Sequence, residues 1–271
     1  MAQPRVAVNG VLTCASEMVE SASTARVAVV TGGAVRVGAA IVRGLARGGW
    51  RVWIHHHHSP ADSLAEALGP AVLGCVCADL SIADERTRLV AAVTDAAGPA
   101  QGRVDLLVNN AASFERGEFV SRTDADLERV LATNLVAPLS LARALAPVLS
   151  RTGGSIVDIV DVAGLHPIKG YLDHCVAKAG LEAATRALAI ELAPLRVNAV
   201  APGTVAWPTD GRHDEGSSAQ AAVLRQIPLG RIGTPDDIAM AVLYLAEAPF
   251  VSGSCLVVDG GRVAAMGGTR G

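Results

Sequence analysis

Short apolar runs rich in Val, Ile and Leu alternate with longer helix-like segments along this 271-residue chain, and that alternation leaves few folds open. The spacing predicts strands at Arg26–Thr31, Arg51–His55, Leu73–Ala78, Val104–Asn109, Ser155–Val160, Val197–Ala201 and Cys255–Val258. It predicts helices at Gly38–Gly48, Ala61–Leu68, Ala83–Ala97, His174–Ala193 and Pro235–Ala246, with one long helix or two over Asp124–Leu149. Strands joined by helical crossovers pair in parallel and need cover on both faces. The strands read as apolar throughout, as strands buried on both faces do. The expected architecture is α/β: a doubly wound parallel sheet flanked by helices, in a single domain over residues 26–271. Residues 1–25 lack the alternation and are expected to form a loosely ordered extension.

Composition narrows the function. Hydrophobic residues make up 51% and charged residues 18%, which favours a large core over disorder. A net charge of −3 gives no electrostatic case for nucleic acid or an anionic membrane. No uninterrupted apolar run approaches the roughly 20 residues of a spanning helix. The first 25 residues do not read as a secretory signal. The five cysteines (Cys14, Cys75, Cys77, Cys175, Cys255) show no metal spacing. An odd number without a secretion signal suggests free thiols and a cytoplasmic protein. Lysine occurs only as Lys169 and Lys178, against 21 arginines, which makes Lys178 conspicuous.

Between the first strand and its helix lies Thr31-Gly32-Gly-Ala-Val-Arg36-Val37-Gly38. Glycines there let the backbone turn tightly beside a pyrophosphate, which a helix N-terminus favours electrostatically. Alone this is a glycine-rich turn, and Arg36 stands where a middle glycine is usual. The second strand adds more. NAD-selecting enzymes usually end it in a carboxylate that holds the ribose hydroxyls. Here it ends Ile54-His55-His56-His57-His58-Ser59, with no carboxylate until Asp62. A 2′-phosphate would meet His57, His58, Ser59 and Arg36, which favours NADPH. A solvated turn and a metal cluster are the alternatives; adjacent histidines on extended backbone point to opposite sides, which argues against the metal. Asp79-Leu80 at the third strand's end suits an adenine amino group. Asn109-Asn110-Ala111 at the fourth leaves room for a cofactor.

These motifs, with Asn134, Asp161, Lys178, Pro202-Gly203 and Val257-Val258-Asp259-Gly260-Gly261, follow one another in a familiar order. From about Arg26 to Arg262 the chain resembles the short-chain dehydrogenase/reductases. Within them it is most similar to the pteridine reductase and dihydromonapterin reductase branch. The resemblance rests on Arg36, the His-rich turn to Ser59, Asn109 to Ser113-Phe114, Ala206-Trp207-Pro208, and Asp161 where serine is usual. It implies a Rossmann-type fold, NADPH or NADP as cofactor, a small-molecule substrate and a homotetramer. Gly32, Arg36, Val37, His57, His58, Ser59, Asp79, Leu80, Asn109, Ala111, Lys178, Pro202 and Gly203 would then hold the cofactor. Ser113, Phe114, Tyr171 and Trp207 would contact substrate, Phe114 by stacking on a pterin. Residues 204–226, including Asp210, Arg212, His213, Asp214 and Glu215, would form a lid.

The resemblance also makes His174 the unusual residue, because it stands four residues before Lys178 where the family's tyrosine acid is expected. His174 and Lys178 share a helix face. The catalytic set implied is Asp161, His174, Lys178 and Asn134. Neutral imidazole is a poor acid and imidazolium a good one; a charged Lys178 disfavours the imidazolium and an ionised Asp161 favours it. A site of this kind suits a substrate needing little acid help, such as an imine or a pterin C=N bond. The expected activity is reduction of C=N or C=O in a small heterocycle. A ketoreductase using His174 as proton donor, and a non-catalytic NADP-binding sensor or scaffold, are the competing readings. Tyr171 reads first as a pocket residue and second as a surrogate acid.

Overall fold

The computed structural model describes residues 25–207 and 217–267. The extension before residue 25 and the lid residues Asp210, Arg212, His213, Asp214 and Glu215 lie outside the described residues. Seven strands form one sheet: β1 (Val27–Val30), β2 (Arg51–His56), β3 (Val72–Cys77), β4 (Leu106–Asn109), β5 (Ser155–Ile159), β6 (Arg196–Pro202) and β7 (Cys255–Val258). Their order is β3-β2-β1-β4-β5-β6-β7, and every pairing is parallel. The order reverses between β1 and β4, which opens a crevice at the strands' carboxyl ends.

The helices are α1 (Arg36–Arg47), α2 (Asp62–Leu68), α3 (Ala83–Thr94), α4 (Asp124–Leu131), α5 (Ala137–Thr152), α6 (Val162–Leu165), α7 (Leu172–Glu191), α8 (Ser218–Leu224), α9 (Pro235–Glu247) and α10 (Arg262–Gly267). One face of the sheet packs Ile54, Val108 and Val200 against Ile41 and Leu45 of α1 and Ile238 and Val242 of α9. The other packs Leu107 and Ile156 against Leu141, Leu145 and Leu149 of α5. Thr234 starts α9 with a capping box to Asp237, and Pro235 fills its first turn, where no N–H is needed.

Two expectations change, and one open alternative is decided. The edge strands β3 and β7 are only partly buried, unlike the five between them, because each has a single neighbouring strand and thinner cover. The long helical stretch is α4 and α5 joined by a π-helical turn at Ala132–Val136. The short helices α6, α8 and α10 were not expected. The continuous stretch Asp124–Thr152 is long and apolar enough by composition to cross a bilayer. Its inner residues Leu141, Leu145 and Leu149 belong to the core beneath the sheet.

Candidate active site

The crevice is a cleft of about 630 Å³. Gly32, Arg36 and Val37 line one wall, His57, His58 and Ser59 the rim, Asp79 and Leu80 the far end, and Ala111 and Ser113 the floor. Gly32 turns at φ +60°, and a Cβ there would meet Ala111 Cα at 2.9 Å. The Thr31 hydroxyl accepts the amides of Asn110 (2.9 Å) and Ala111 (3.0 Å), and Asn110 Nδ2 donates to the carbonyls of Thr31 and Gly32. The glycine turn is thus clamped to the end of β4. Arg36 also lies in the left-handed region, at φ 51°, a costly conformation for a residue with a side chain.

A buried imidazole supports the same turn. His55 is 2% exposed. Its Nδ1 accepts the Gly32 amide at 3.0 Å, and its Nε2 lies 2.9 Å from the Ala78 carbonyl. Only the neutral ring with its proton on Nε2 satisfies both partners. Burial accordingly lowers its pKa to about 4, against the pull of the Ala78 carbonyl. The amides of Gly32 and Gly33 are therefore used by the protein, the second by the His55 carbonyl. The amides opening α1 are not: the first bonded one is Ala39, to Val35 O at 3.1 Å. Unpartnered amides at a helix start suit an anion. At the far end, partial burial opposes ionisation of Asp79, but the Ser81 hydroxyl and amide and the nearby His57 and His58 hold its carboxyl below the usual value. Among the described residues no three His, Cys, Asp or Glu side chains converge as a metal-ligand set.

Beyond Ser113 the chemistry-bearing groups meet. His174, in the first turns of α7, is 3% exposed. Its Nε2 lies 3.3 Å from Asp161 Oδ2. Its Nδ1 lies 3.3 Å from the Ser113 carbonyl and 3.3 Å from Asn134 Nδ2. Asp161 follows β5 and caps α6, its Oδ1 accepting the Ala163 amide at 2.7 Å. Asn134, in the π-turn, grips Ser113 through both its amide (2.7 Å) and carbonyl (2.8 Å). Phe114 stacks on Tyr171 at 4.3 Å and presents its ring to the His174 edge at 4.7 Å. Lys178, also buried, donates to the Ile159 carbonyl at 2.6 Å. Burial lowers its pKa to about 8, while Asp161 and Asp158 pull the other way. Gly164 lets α6 press on α7 here, since a Cβ would meet Ala179 N at 2.9 Å.

Residues 33–262 match the family described as enoyl-(acyl carrier protein) reductase. The chain belongs to this family of short-chain dehydrogenase/reductases. It is 37% identical to carbonyl reductase family member 4 of Danio rerio, over 87% of this chain and 97% of that protein. It is 34% identical to pteridine reductase 1 of Leishmania tarentolae, over 88% and 96%. A solved structure described as a betaketoacyl-ACP reductase superposes with a TM-score of 0.76 at 32% identity, covering 88% of this chain and 98% of that one. The protein is accordingly an oxidoreductase of the short-chain type.

For this reductase, the structure gathers Asn134, Asp161, His174, Ser113, Phe114 and Tyr171 into one connected cluster. It separates Asn109 from the expected cofactor contacts. Asn109 is buried beneath the cleft, where its Nδ2 donates to Asp158 Oδ1 at 2.8 Å. The next residue, Asn110, faces the turn instead, because side chains alternate along a strand. Pro202 and Gly203 do not line the cleft; Val205 and Ala206 do. Gly203 packs on Asp259, where a Cβ would meet the Asp259 Cβ at 2.7 Å. Trp207 is half-buried at the end of the described stretch. Sequence reasoning missed Thr31, Asn110 and His55, and also a bracing network. Ser113 Oγ donates to Glu115 (2.8 Å), Arg129 pairs with Glu115 (2.7 Å), and Arg122 pairs with buried Asp173 (2.6 Å). That network fixes the Phe114 loop to the last turn of α4 and the start of α7. The opposite charges gave a signal; their convergence from separate elements did not.

Proposed function

We propose that this oxidoreductase uses NADPH to reduce a C=N bond in a planar, pterin-like heterocycle, with Asp161 and His174 supplying the proton. The observation that carries the reading is the contact of His174 with Asp161 beside the Phe114–Tyr171 stack. A doubly protonated imidazole would donate to Asp161 on one side and to the Ser113 carbonyl on the other. The pair therefore has a place to hold a proton and a carboxylate oxygen through which to pass it. Phe114, half-exposed, offers an aromatic face to a flat ring.

Bound NADPH would supply the hydride. The free amides opening α1, with Arg36 and Val37, fit its pyrophosphate. His57, His58 and Ser59 fit a 2′-phosphate. Asp79 and Leu80 fit the adenine, and Ala111, Lys178, Val205 and Ala206 the nicotinamide end. A buried, charged Lys178 would hold ribose hydroxyls. The likeness to pteridine reductase 1 supports the substrate class. Ketone reduction is the second reading, favoured by the likeness to the structure described as a betaketoacyl-ACP reductase.

The test is NADPH oxidation on imine, pterin and ketone panels by Asp161→Asn, His174→Phe and His174→Tyr. Turnover on C=N substrates should fall in Asp161→Asn and in His174→Phe. Ketone turnover should rise in His174→Tyr. Unchanged turnover in His174→Phe would remove His174 from proton delivery. Wild-type preference for ketones would favour the second reading.

A further inference from the structure

The histidine run divides by role. His55 is a buried strut, and its neutral ring is committed to Gly32 and Ala78. His57 and His58 are exposed at the cleft rim, their rings 3.8 Å apart and tilted by 32°. We propose that His57 and His58 form a proton-gated phosphate clamp, so that binding of a 2′-phosphorylated nucleotide takes up a proton and NADPH selectivity fades as pH rises. The proposal rests on the NADPH reading above and adds to it how that selectivity is controlled.

The argument is one of charge. Two imidazolium rings with centroids 3.8 Å apart repel each other. A dianionic phosphate at the rim offsets that repulsion. It attracts both rings and accepts a charge-assisted hydrogen bond from each. Histidine is the side chain whose ordinary charge change falls between about pH 5 and pH 8, so this clamp is strong or weak within the physiological range. A lysine or arginine there would stay charged.

The surrounding groups do not replace the imidazoles. Asp79, just past β3, lies close enough for both rings to lower the pKa of its carboxyl. The Cys77 thiol is spent on the His57 carbonyl. Behind β3, Glu85 is occupied by the Asp79 amide, and Arg88 by the Cys77 carbonyl and Glu85. On the run itself, His56 is half-buried and His55 is committed. Arg36, which lines the same cleft, is a permanent cation and gives a background attraction that does not vary with pH.

Calorimetric titration of the full chain with NADPH and with NADH, in buffers of different ionisation enthalpy, tests this. NADPH binding near neutral pH should take up close to one proton, and NADH binding none. A phosphate monoester titrating alone, near about pH 6, would release protons on meeting cations, so uptake marks the imidazoles. The NADPH-to-NADH affinity ratio should fall about tenfold or more between about pH 6 and pH 8. His58→Arg should keep selectivity at the higher pH and reduce the uptake. Tight, selective NADPH binding with no proton uptake and a pH-independent ratio would overturn the clamp and leave the NADPH reading standing. Equal affinity for both nucleotides at every pH, or no binding of either, would overturn both.

Discussion

The buried His55 strut makes stability depend on acid in a way that can be worked out beforehand. The perturbation is a fall in pH, compared between the wild type and His55→Leu. In the folded protein the His55 pKa lies at about 4, against 6.5 for the free side chain. Between those values the unfolded chain binds more protons than the folded one. Stability therefore falls as pH drops through that window, is unaffected by His55 above it, and levels off below it. At about 1.4 kcal/mol per pKa unit, the full loss is about 3 kcal/mol. The leucine variant starts lower. It leaves the Gly32 amide and the Ala78 carbonyl without their partner, at about 1–3 kcal/mol each. It then lacks the histidine's acid slope. Urea unfolding followed by the fluorescence of buried Trp50 and Trp53 reads both effects. The gap between the two proteins should be widest near neutral pH and should shrink by about 3 kcal/mol as pH approaches 4. A gap that stays constant across that range would refute the buried, neutral strut.

Arg36→Gly should raise the urea midpoint, because relieving a left-handed side-chain-bearing residue recovers about 1 kcal/mol, while nucleotide affinity measured by fluorescence quenching should weaken. Lys178 loses its proton near pH 8, so cofactor affinity and turnover should decline above that value and a pH–rate profile should show the limb. Phe114→Ala removes the ring stacked on Tyr171 and should lower kcat/KM for flat heterocycles by about 2- to 10-fold, mainly through KM in steady-state assays.

Much of the frame was legible because its signals are local. The apolar runs mark all seven strands, and the Thr31–Gly38 turn, the Asp79 turn and the Asn109–Ala111 segment each fall at a strand's carboxyl end. That placement alone predicts a cleft. The partition between neighbours was less legible. Asn109 and Asn110 look alike in sequence, yet strand alternation sends the first to Asp158 and the second to the glycine turn. His55 looks like its three neighbours, yet burial at the end of β2 commits it to backbone partners from β1 and β3. The π-turn that aims Asn134 at Ser113 leaves no mark in the helical pattern around it.

By itself the sequence determined the parallel sheet, the order of its elements and the residue types available at their ends. Strand and helix periodicity depend on neighbours a few positions away, and an apolar run or a glycine turn carries its meaning with it. Tertiary structure alone decided which of those residues meet. Asp161 and His174 come from just past a strand and from a helix start, Asn134 from another helix and Ser113 from a loop, and all contact one imidazole. A hydrogen bond needs its partners within about 3 Å, and only the packing of four separate elements sets that distance.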